Sequence, residues 1–83
     1  MAHKLYYTDY DMPIDTYRGN KWSYIPFQYN DLDDALRRAR QIMSAGGVPW
    51  EIECDDGKTI GRIEIMRLLR DRAAELAGPP KVY

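Results

Sequence analysis

One amphipathic helix with a strongly marked end constrains this chain more than any other feature. At about 100° per residue, the apolar side chains between residues 31 and 45 fall within an arc of about 120°, the width of a helix face packed on a core. They are Leu32, Ala35, Leu36, Ala39, Ile42 and Met43. Asn30 or Asp31 can cap the helix, and Gly46-Gly47 followed by Pro49 prevents its continuation. The pattern predicts a helix that needs a second layer to cover it.

Two strands joined by a tight turn are predicted directly after this helix. Trp50, Ile52 and Cys54 alternate with glutamates, which is the period of a strand with one buried face. Asp56-Gly57 suits a turn with positive φ, and residues 59–65 predict the returning strand. We therefore expect a β-hairpin whose first strand buries Trp50.

A second helix is expected near the end of the chain. From about Glu64, apolar residues recur at helical spacing through Ala77. They are Ile65, Leu68, Leu69, Ala73 and Leu76. Gly78-Pro79-Pro80 can end a helix, so residues 1–78 are predicted to form one small domain and residues 79–83 a flexible tail.

The first thirty residues predict two strands joined by a long loop. Lys4 to Thr8 and Lys21 to Tyr29 are rich in aromatic and β-branched residues. Pro26 cannot donate a ladder hydrogen bond, which favours a sheet edge or a bulge. The resulting order is β-β-α-β-β-α. We expect a two-layer α+β fold, with a mostly antiparallel four-stranded sheet and two helices on one face.

Composition narrows the classes of protein that this chain can represent. The 83 residues are 45% hydrophobic, which excludes disorder as an explanation for the whole chain. A formal net charge of -1 argues against general binding to phosphate backbones. The single cysteine, Cys54, excludes an intramolecular disulfide and indicates a reducing compartment. The first residues become polar within a few positions, so we expect no secretory leader and a cytoplasmic location.

The sequence offers few groups for catalysis. Nucleophilic catalysis needs a thiol or hydroxyl that is activated by a neighbouring base. Cys54 is predicted on a buried strand face, and the one histidine, His3, lies close to a chain terminus. Asp55 and Asp56 would raise the pKa of a nearby thiol rather than lower it. We therefore expect a protein that is not an enzyme.

Metal and cofactor sites are not expected either. One cysteine and one histidine cannot supply the roughly four ligands of a structural zinc site. Asp9, Asp11 and Asp15 do not have the spacing of an EF-hand loop. Gly46-Gly47 follows a helix, whereas a phosphate-binding loop precedes one. The sequence predicts no metal and no cofactor.

Arg72 is the one arginine placed close to the apolar stripe of the second predicted helix. Its methylene groups could cover the edge of the core while its guanidinium reaches water. Alternatively, it could form an ion pair across a dimer interface with Glu51 or Glu53. Long basic side chains commonly lie along apolar surface, so the first interpretation is favoured.

The most informative feature is a predicted sheet face that is half aromatic and half charged. Strand alternation directs a set of side chains away from the helices. The set is Tyr6, Trp22, Tyr24, Glu51, Glu53 and Arg62. Aromatic residues and arginine are enriched where proteins meet partners, so these residues are the candidate partner-binding site. The alternative is that Met12, Ile14 and Tyr17 of the 9–20 loop fold over the rings.

Two functions from different classes follow. The first is a non-enzymatic protein-interaction module that binds a protein partner or itself, with a homodimer as one form. The second is single-stranded nucleic-acid binding by base stacking, which Glu51 and Glu53 disfavour because carboxylates repel the backbone. A site shared between copies of an enzyme has no support in the spacing, and no membrane partner is expected. The arrangement resembles short bacterial α+β proteins, but no motif identifies a family.

Overall fold

The computed structural model describes residues 2–76. Its strands and helices are short, and they alternate along the chain. In order, they are β1 (His3–Thr8), α1 (Ile14–Asn20), a 3₁₀ turn (Lys21–Ser23), β2 (Phe27–Tyr29), α2 (Leu32–Ser44), β3 (Val48–Cys54), β4 (Thr59–Gly61) and α3 (Arg62–Asp71). The predicted domain boundary at residue 78 and the predicted tail over 79–83 lie outside the described residues.

The four strands form one antiparallel sheet in the order β2-β1-β3-β4. The central strand β1 places Leu5 opposite Phe27 on one side and Ile52 on the other. β2 lies at a sheet edge and follows Pro26, as that proline predicts. The predicted α+β class and the four-stranded antiparallel sheet are confirmed.

The larger core lies between the sheet and helices α2 and α3. Its fully buried members are Leu5, Ala35, Leu36, Ala39, Ile52, Ile65 and Leu76. α2 matches the helix predicted from the sequence. It ends at Ser44, and Gly46, two residues later, has a φ of 88°, while the Gly47 N–H donates to the Ile42 carbonyl. Met43, at the edge of the apolar stripe, is exposed instead of buried.

α1 was not expected, and it lies on the opposite face of the sheet. The Thr16 and Tyr17 N–H groups both donate to the Pro13 carbonyl, which starts a helix where a loop was predicted. Gly19 and Asn20 have low helix propensity, so the sequence pattern favoured a loop here. The buried residue of α1 is Tyr17, which packs with Val48 and Trp50. The two predicted helices, α2 and α3, share one face, but the predicted count is wrong, because residues 2–76 contain a third helix on the other face.

The strand predicted over Lys21 to Tyr29 is also wrong in its first part. Residues 21–23 form a 3₁₀ turn, in which the Ser23 hydroxyl donates to the Asn20 carbonyl. Only Phe27–Tyr29 pairs with β1. Aromatic residues favour any half-buried surface, so their presence did not distinguish a strand from a packed turn.

A shift in strand register reverses the predicted direction of Trp50. Tyr6 pairs with Glu51 and Tyr7 pairs with Pro49, so Trp50 has no partner on β1. One extra residue in a strand is a β-bulge, which redirects the side chains around it. Trp50 stacks on Tyr17, whose hydroxyl bonds Glu51. Trp50 therefore lies on the face of Glu51 and not, as predicted, on the face of Ile52 and Cys54.

The hairpin turn at Gly57 is as predicted, with a φ of 88°, but its second strand is short. β4 ends at Gly61 and α3 begins at Arg62, where the sequence predicts strand through Ile65. The apolar residues among positions 62–65 fit both a strand period and a helical period. The pattern therefore does not show the boundary between β4 and α3. The early start of α3 leaves Ile63 85% exposed.

No helix within residues 2–76 is long and apolar enough to cross a membrane.

Candidate functional site

The six predicted site residues do not form an open sheet face. Tyr6 on β1 and the glutamates 51 and 53 on β3 are neighbours, as predicted. Trp22 lies in the 3₁₀ turn and is 85% exposed, while Tyr24 follows that turn and is half-buried. Arg62 is the first residue of α3. The predicted ring-bearing face is thus corrected: Tyr17 of α1 and Lys21 of the 3₁₀ turn cover a cluster of Tyr6, Glu51 and Glu53, whereas Trp22 is exposed and lies outside it. That the six residues bind a partner stays a prediction.

Glu51 is the centre of this cluster. Its Oε1 accepts a hydrogen bond from the Tyr17 hydroxyl at 2.7 Å and lies 2.6 Å from the Lys21 Nζ. The Lys21 Nζ also lies 3.5 Å from Glu53 Oε2 and 4.6 Å from the centre of the Tyr6 ring. One lysine from the 3₁₀ turn therefore covers both glutamates and the ring that were predicted to meet a partner.

The protonation of the cluster follows from these contacts. Burial opposes the charge on Glu51, but hydrogen bonds from Lys21 and Tyr17 outweigh burial and lower the pKa of its carboxyl. Burial and the hydrogen bond to Glu51 raise the pKa of Tyr17. Burial opposes the charge on Lys21, yet its bond to Glu51 raises its pKa. The carboxylate is ionised and occupied by two donors, so it is not a free base.

The rings beside this cluster pack on one another in a column. Trp50 stacks on Tyr17 with ring centroids 4.6 Å apart, and Tyr17 stacks on Tyr24 at 6.0 Å. The Arg62 guanidinium lies 5.1 Å from the Trp50 ring centroid. The Trp50 Nε1 donates to Thr8 Oγ1 at 2.9 Å. The alternative in which the 9–20 segment covers the rings is therefore correct for Tyr17 and Met12, whereas Ile14 stays exposed.

Arg72 has its partners within the chain. Its guanidinium forms ion pairs with Asp33 of α2 and with Glu75. The bonds to Glu75 and Asp33 raise its pKa. Neither sequence interpretation describes this contact, because the guanidinium links α2 to the end of α3 instead of facing only water. Glu51 and Glu53, its proposed partners across a dimer, are held by Lys21.

An exposed apolar groove between α1 and α3 was missed by the sequence analysis. Its volume is about 760 Å³. We call it the α1–α3 groove. Its lining includes Met12, Ile14, Trp50, Arg62, Ile63 and Met66. Ile14 and Met66 are each 47% exposed, and Ile63 is 85% exposed. The sequence contains one signal for this groove. Positions 63, 66, 67 and 70 share a face of α3 that lies opposite the buried face.

The charges around the α1–α3 groove are paired within the chain. Arg62 contacts Asp11 at 3.1 Å, and Arg67 contacts Glu64 at 2.7 Å. Arg70 lies 3.4 Å from Asp71. The apolar groove therefore has a rim with both signs of charge and no strong preference for a charged ligand.

The residues that carry most metal and nucleophilic chemistry are not assembled into a site. Within residues 2–76, no group of at least three His, Cys, Asp or Glu side chains could hold a metal ion. His3 and Cys54 are opposite each other on β1 and β3, but His3 Nδ1 has no hydrogen-bond partner in this part of the chain. Burial raises the pKa of the Cys54 thiol, and the negative charge of Asp56 raises it further. A protonated thiol is a poor nucleophile.

Comparison of the chain with protein-family models, with curated proteins and with solved structures finds no match.

Proposed function

We propose that this chain is a non-enzymatic, cytoplasmic protein-interaction module that forms a homodimer through the α1–α3 groove. The observation that carries the proposal is Ile63, a large apolar side chain that is almost fully exposed beside a groove lined by Met66 and Ile14. Contiguous exposed apolar surface of this kind marks interaction sites. Methionine side chains adapt their shape to a partner, which suits such a surface.

The shape of the groove favours a second copy as the partner. A two-fold interface uses the same surface on both subunits, so that surface must be complementary to itself. Ile63 is 85% exposed and forms part of the groove lining, so the groove presents both an apolar side chain and an apolar depression. A two-fold axis between them would place each Ile63 in the groove of the other copy.

The charges of the rim also favour self-association. Because Arg62, Arg67 and Arg70 each have an acidic neighbour, two copies of this surface do not repel each other strongly. Charge repulsion between identical patches is a common barrier to isologous contact. Arg67 and Arg70 also supply long apolar stems that can cover the edge of the interface.

The size of the surface is compatible with a dimer. A stable interface buries about 800 Å² on each partner. The described residues expose 5414 Å². A dimer would therefore bury about one seventh of this surface. The groove and the outward face of α3 together supply a continuous region on which such an interface can form.

Single-stranded nucleic-acid binding receives less support from the geometry. Base stacking needs exposed ring faces. Tyr17 and Tyr24 stack on each other, and Lys21 lies over Tyr6. Trp22 is exposed, but the nearest basic residue, Lys21, is held by two glutamates.

The dimer can be tested with a matched pair of substitutions. Ile63→Asp places a charge in the groove, and because residue 63 is in the first turn of α3, an aspartate there is compatible with the helix dipole. Ile25→Asp is the control, since Ile25 is 87% exposed but lies outside the groove. In sedimentation velocity over a wide concentration range, the natural chain and Ile25→Asp should dimerise, whereas Ile63→Asp should stay monomeric.

Two results would contradict the proposal. One is a natural chain that stays monomeric at about millimolar concentration, and the other is a dimer that Ile63→Asp leaves intact. A salt-sensitive affinity for labelled oligonucleotides would instead favour the nucleic-acid function.

A further inference from the structure

We propose that a second site, at the carboxyl end of β1, binds a quaternary ammonium group. A pocket of about 340 Å³ lies there, between the segment that follows β1 and the residues after the 3₁₀ turn. We call it the tyrosine pocket. Its lining includes Tyr7, Asp9, Tyr10, Tyr24 and Ile25. Several aromatic rings and one carboxylate around a small cavity are the groups that recognise such cations.

Two of the three rings are held in place by their neighbours. Tyr7 stacks on Phe27 with ring centroids 4.8 Å apart and planes 5° apart. Tyr24 stacks on Tyr17, and its hydroxyl lies 3.8 Å from Met12 Sδ. Each ring therefore has one face against a neighbouring ring and also lines the pocket. Fixed rings lose little entropy on binding.

The third ring is fixed at its backbone and free at its side chain. The Thr8 hydroxyl donates to the Tyr10 carbonyl at 2.7 Å, and the same hydroxyl accepts the Trp50 N–H. This pair of bonds anchors the segment that carries Tyr10 to the core. The Tyr10 side chain is 68% exposed and can move to cover a bound cation.

The charge of the pocket favours a cation. Among the described residues, Asp9 is the charged member of the lining, which contains no lysine or arginine. Asp9 is exposed, and the ion pairs within residues 2–76 do not include it. Its carboxylate is therefore available to attract positive charge to the rings.

The balance between rings and acceptors selects the class of cation. A primary ammonium is strongly hydrated and needs several hydrogen-bond acceptors to replace its water. A quaternary ammonium has no N–H group, and it gains from ring faces and from one nearby carboxylate. Three tyrosines and a single acid match the second requirement. The lining also includes Thr8 and Ser23, but both hydroxyls are hydrogen-bonded within the chain.

Choline and its uncharged isostere provide the first test. In the isostere, dimethylbutanol, a carbon atom replaces the charged nitrogen, so size and shape are kept while the charge is lost. In NMR titrations of the intact chain, choline should shift the amide signals of Tyr7, Tyr10 and Tyr24. We expect the isostere to bind at least about tenfold more weakly, because the cation–π contribution is absent. Equal binding of both compounds, or no binding of choline, would overturn the proposal.

Substitutions at the exposed ring and the acid give the second test. Tyr10→Leu should weaken choline binding about threefold to tenfold, whereas Tyr10→Phe should retain it, because the ring and not the hydroxyl makes the contact. Asp9→Asn should also weaken binding. Trp22→Ala is the matched control, since Trp22 is exposed and near in sequence but does not line the pocket. A loss with Trp22→Ala equal to that with Tyr10→Leu would contradict the assignment.

Further arms of the experiment identify the source of the cation. A peptide carrying trimethyl-lysine, with its unmethylated form as control, tests a modified protein. Vesicles of phosphatidylcholine, compared with vesicles of phosphatidylglycerol, test a lipid headgroup. Ile63→Asp should leave all of these affinities unchanged, so failure of the dimer proposal and failure of this proposal are distinguishable.

Discussion

Glu51 shows how a single carboxylate can join two elements on one face of the sheet. It accepts from Tyr17 of α1 and pairs with Lys21 of the 3₁₀ turn, while Glu51 itself lies on β3. Removing one partner of a buried polar contact costs more than the contact contributes, because the remaining group is left unsatisfied.

Tyr17→Phe should lower the free energy of unfolding by about 1–2 kcal/mol, since it removes the donor to a charged acceptor and keeps the ring stack. Urea unfolding at neutral pH measures the change. Tyr10→Phe is the control and should lie within about 0.5 kcal/mol of the natural chain, because the Tyr10 ring is mostly exposed. An equal effect of both substitutions would show that the Tyr17 hydroxyl contributes nothing specific.

The same residues set a dependence of stability on pH. The pKa of Glu51 is lowered from 4.5, so its contribution is present above that value and is lost as pH falls through the folded pKa. The pKa of Tyr17 is raised from 10.0, so its contribution is present below that value and is lost as pH rises. Urea midpoints should therefore fall at both extremes. Glu51→Gln should flatten the acid side, because it removes the carboxylate that Lys21 and Tyr17 stabilise.

The sheet face that a side chain occupies was predicted correctly where strand alternation is regular. It was predicted wrongly where that alternation is broken. Tyr6, Glu51 and Glu53 share a face because β1 and β3 pair regularly there. Trp50 was assigned to the wrong face because a β-bulge has no signature in the alternation of apolar and polar residues. The groove beside Ile63 was missed for a related reason, since Ile63 was taken as part of a strand.

At the scale of elements, two glycines of the chain should respond in opposite ways to alanine. A Cβ at Gly47 would lie 2.7 Å from Ile42 Cγ2 and 2.9 Å from the Thr8 carbonyl oxygen. At Gly19, within α1, no atom lies within 4 Å of the added carbon. The close approach at Gly47 is what allows α2 to lead directly into β3.

Gly47→Ala should therefore destabilise the fold by about 1–3 kcal/mol, through overpacking against backbone that cannot move freely. Gly19→Ala should stabilise it by about 0.5–1 kcal/mol, because alanine loses less conformational entropy in a helix. Thermal unfolding of both variants checks the pair. A stabilising Gly47→Ala would show that the connection between α2 and β3 can relax.

Long helices and strands were predicted better than short ones, because a longer element shows more repeats of its apolar pattern. α2 has 13 residues and shows three turns of apolar periodicity with a glycine at its end. α1 has 7 residues and one buried side chain, which is too little for a periodic signal. The alternation of Gly61, Ile63 and Ile65 continues a strand pattern from β4 into α3, so the local sequence does not show where the strand ends. Short elements take their structure from contacts that the local sequence does not encode.

At the scale of the whole molecule, the sheet separates two cores of unequal size. Helices α2 and α3 cover one face with an extensive apolar core, while α1 is held on the other face mainly through Tyr17. The element order predicted two layers with both helices on one face, and therefore a single core. The second core could not be predicted, because it depends on a bulge and on a helix of two turns.

This asymmetry predicts two levels of local stability. Amides of β1, β3 and α2 should exchange with solvent only through global unfolding, whereas amides of α1 should exchange through local opening. Tyr17→Ala should increase exchange in α1 and the 3₁₀ turn about tenfold or more while the amides of α2 change much less, because the larger core does not include Tyr17. Native-state hydrogen exchange by NMR measures both regions in one sample. Emission from Trp50, recorded in a Trp22→Phe background, should move to longer wavelength when α1 opens, since Trp50 is buried beneath Tyr17. Equal acceleration of α1 and α2 would mean that the two faces unfold as one unit and that α1 is as firmly held as the rest.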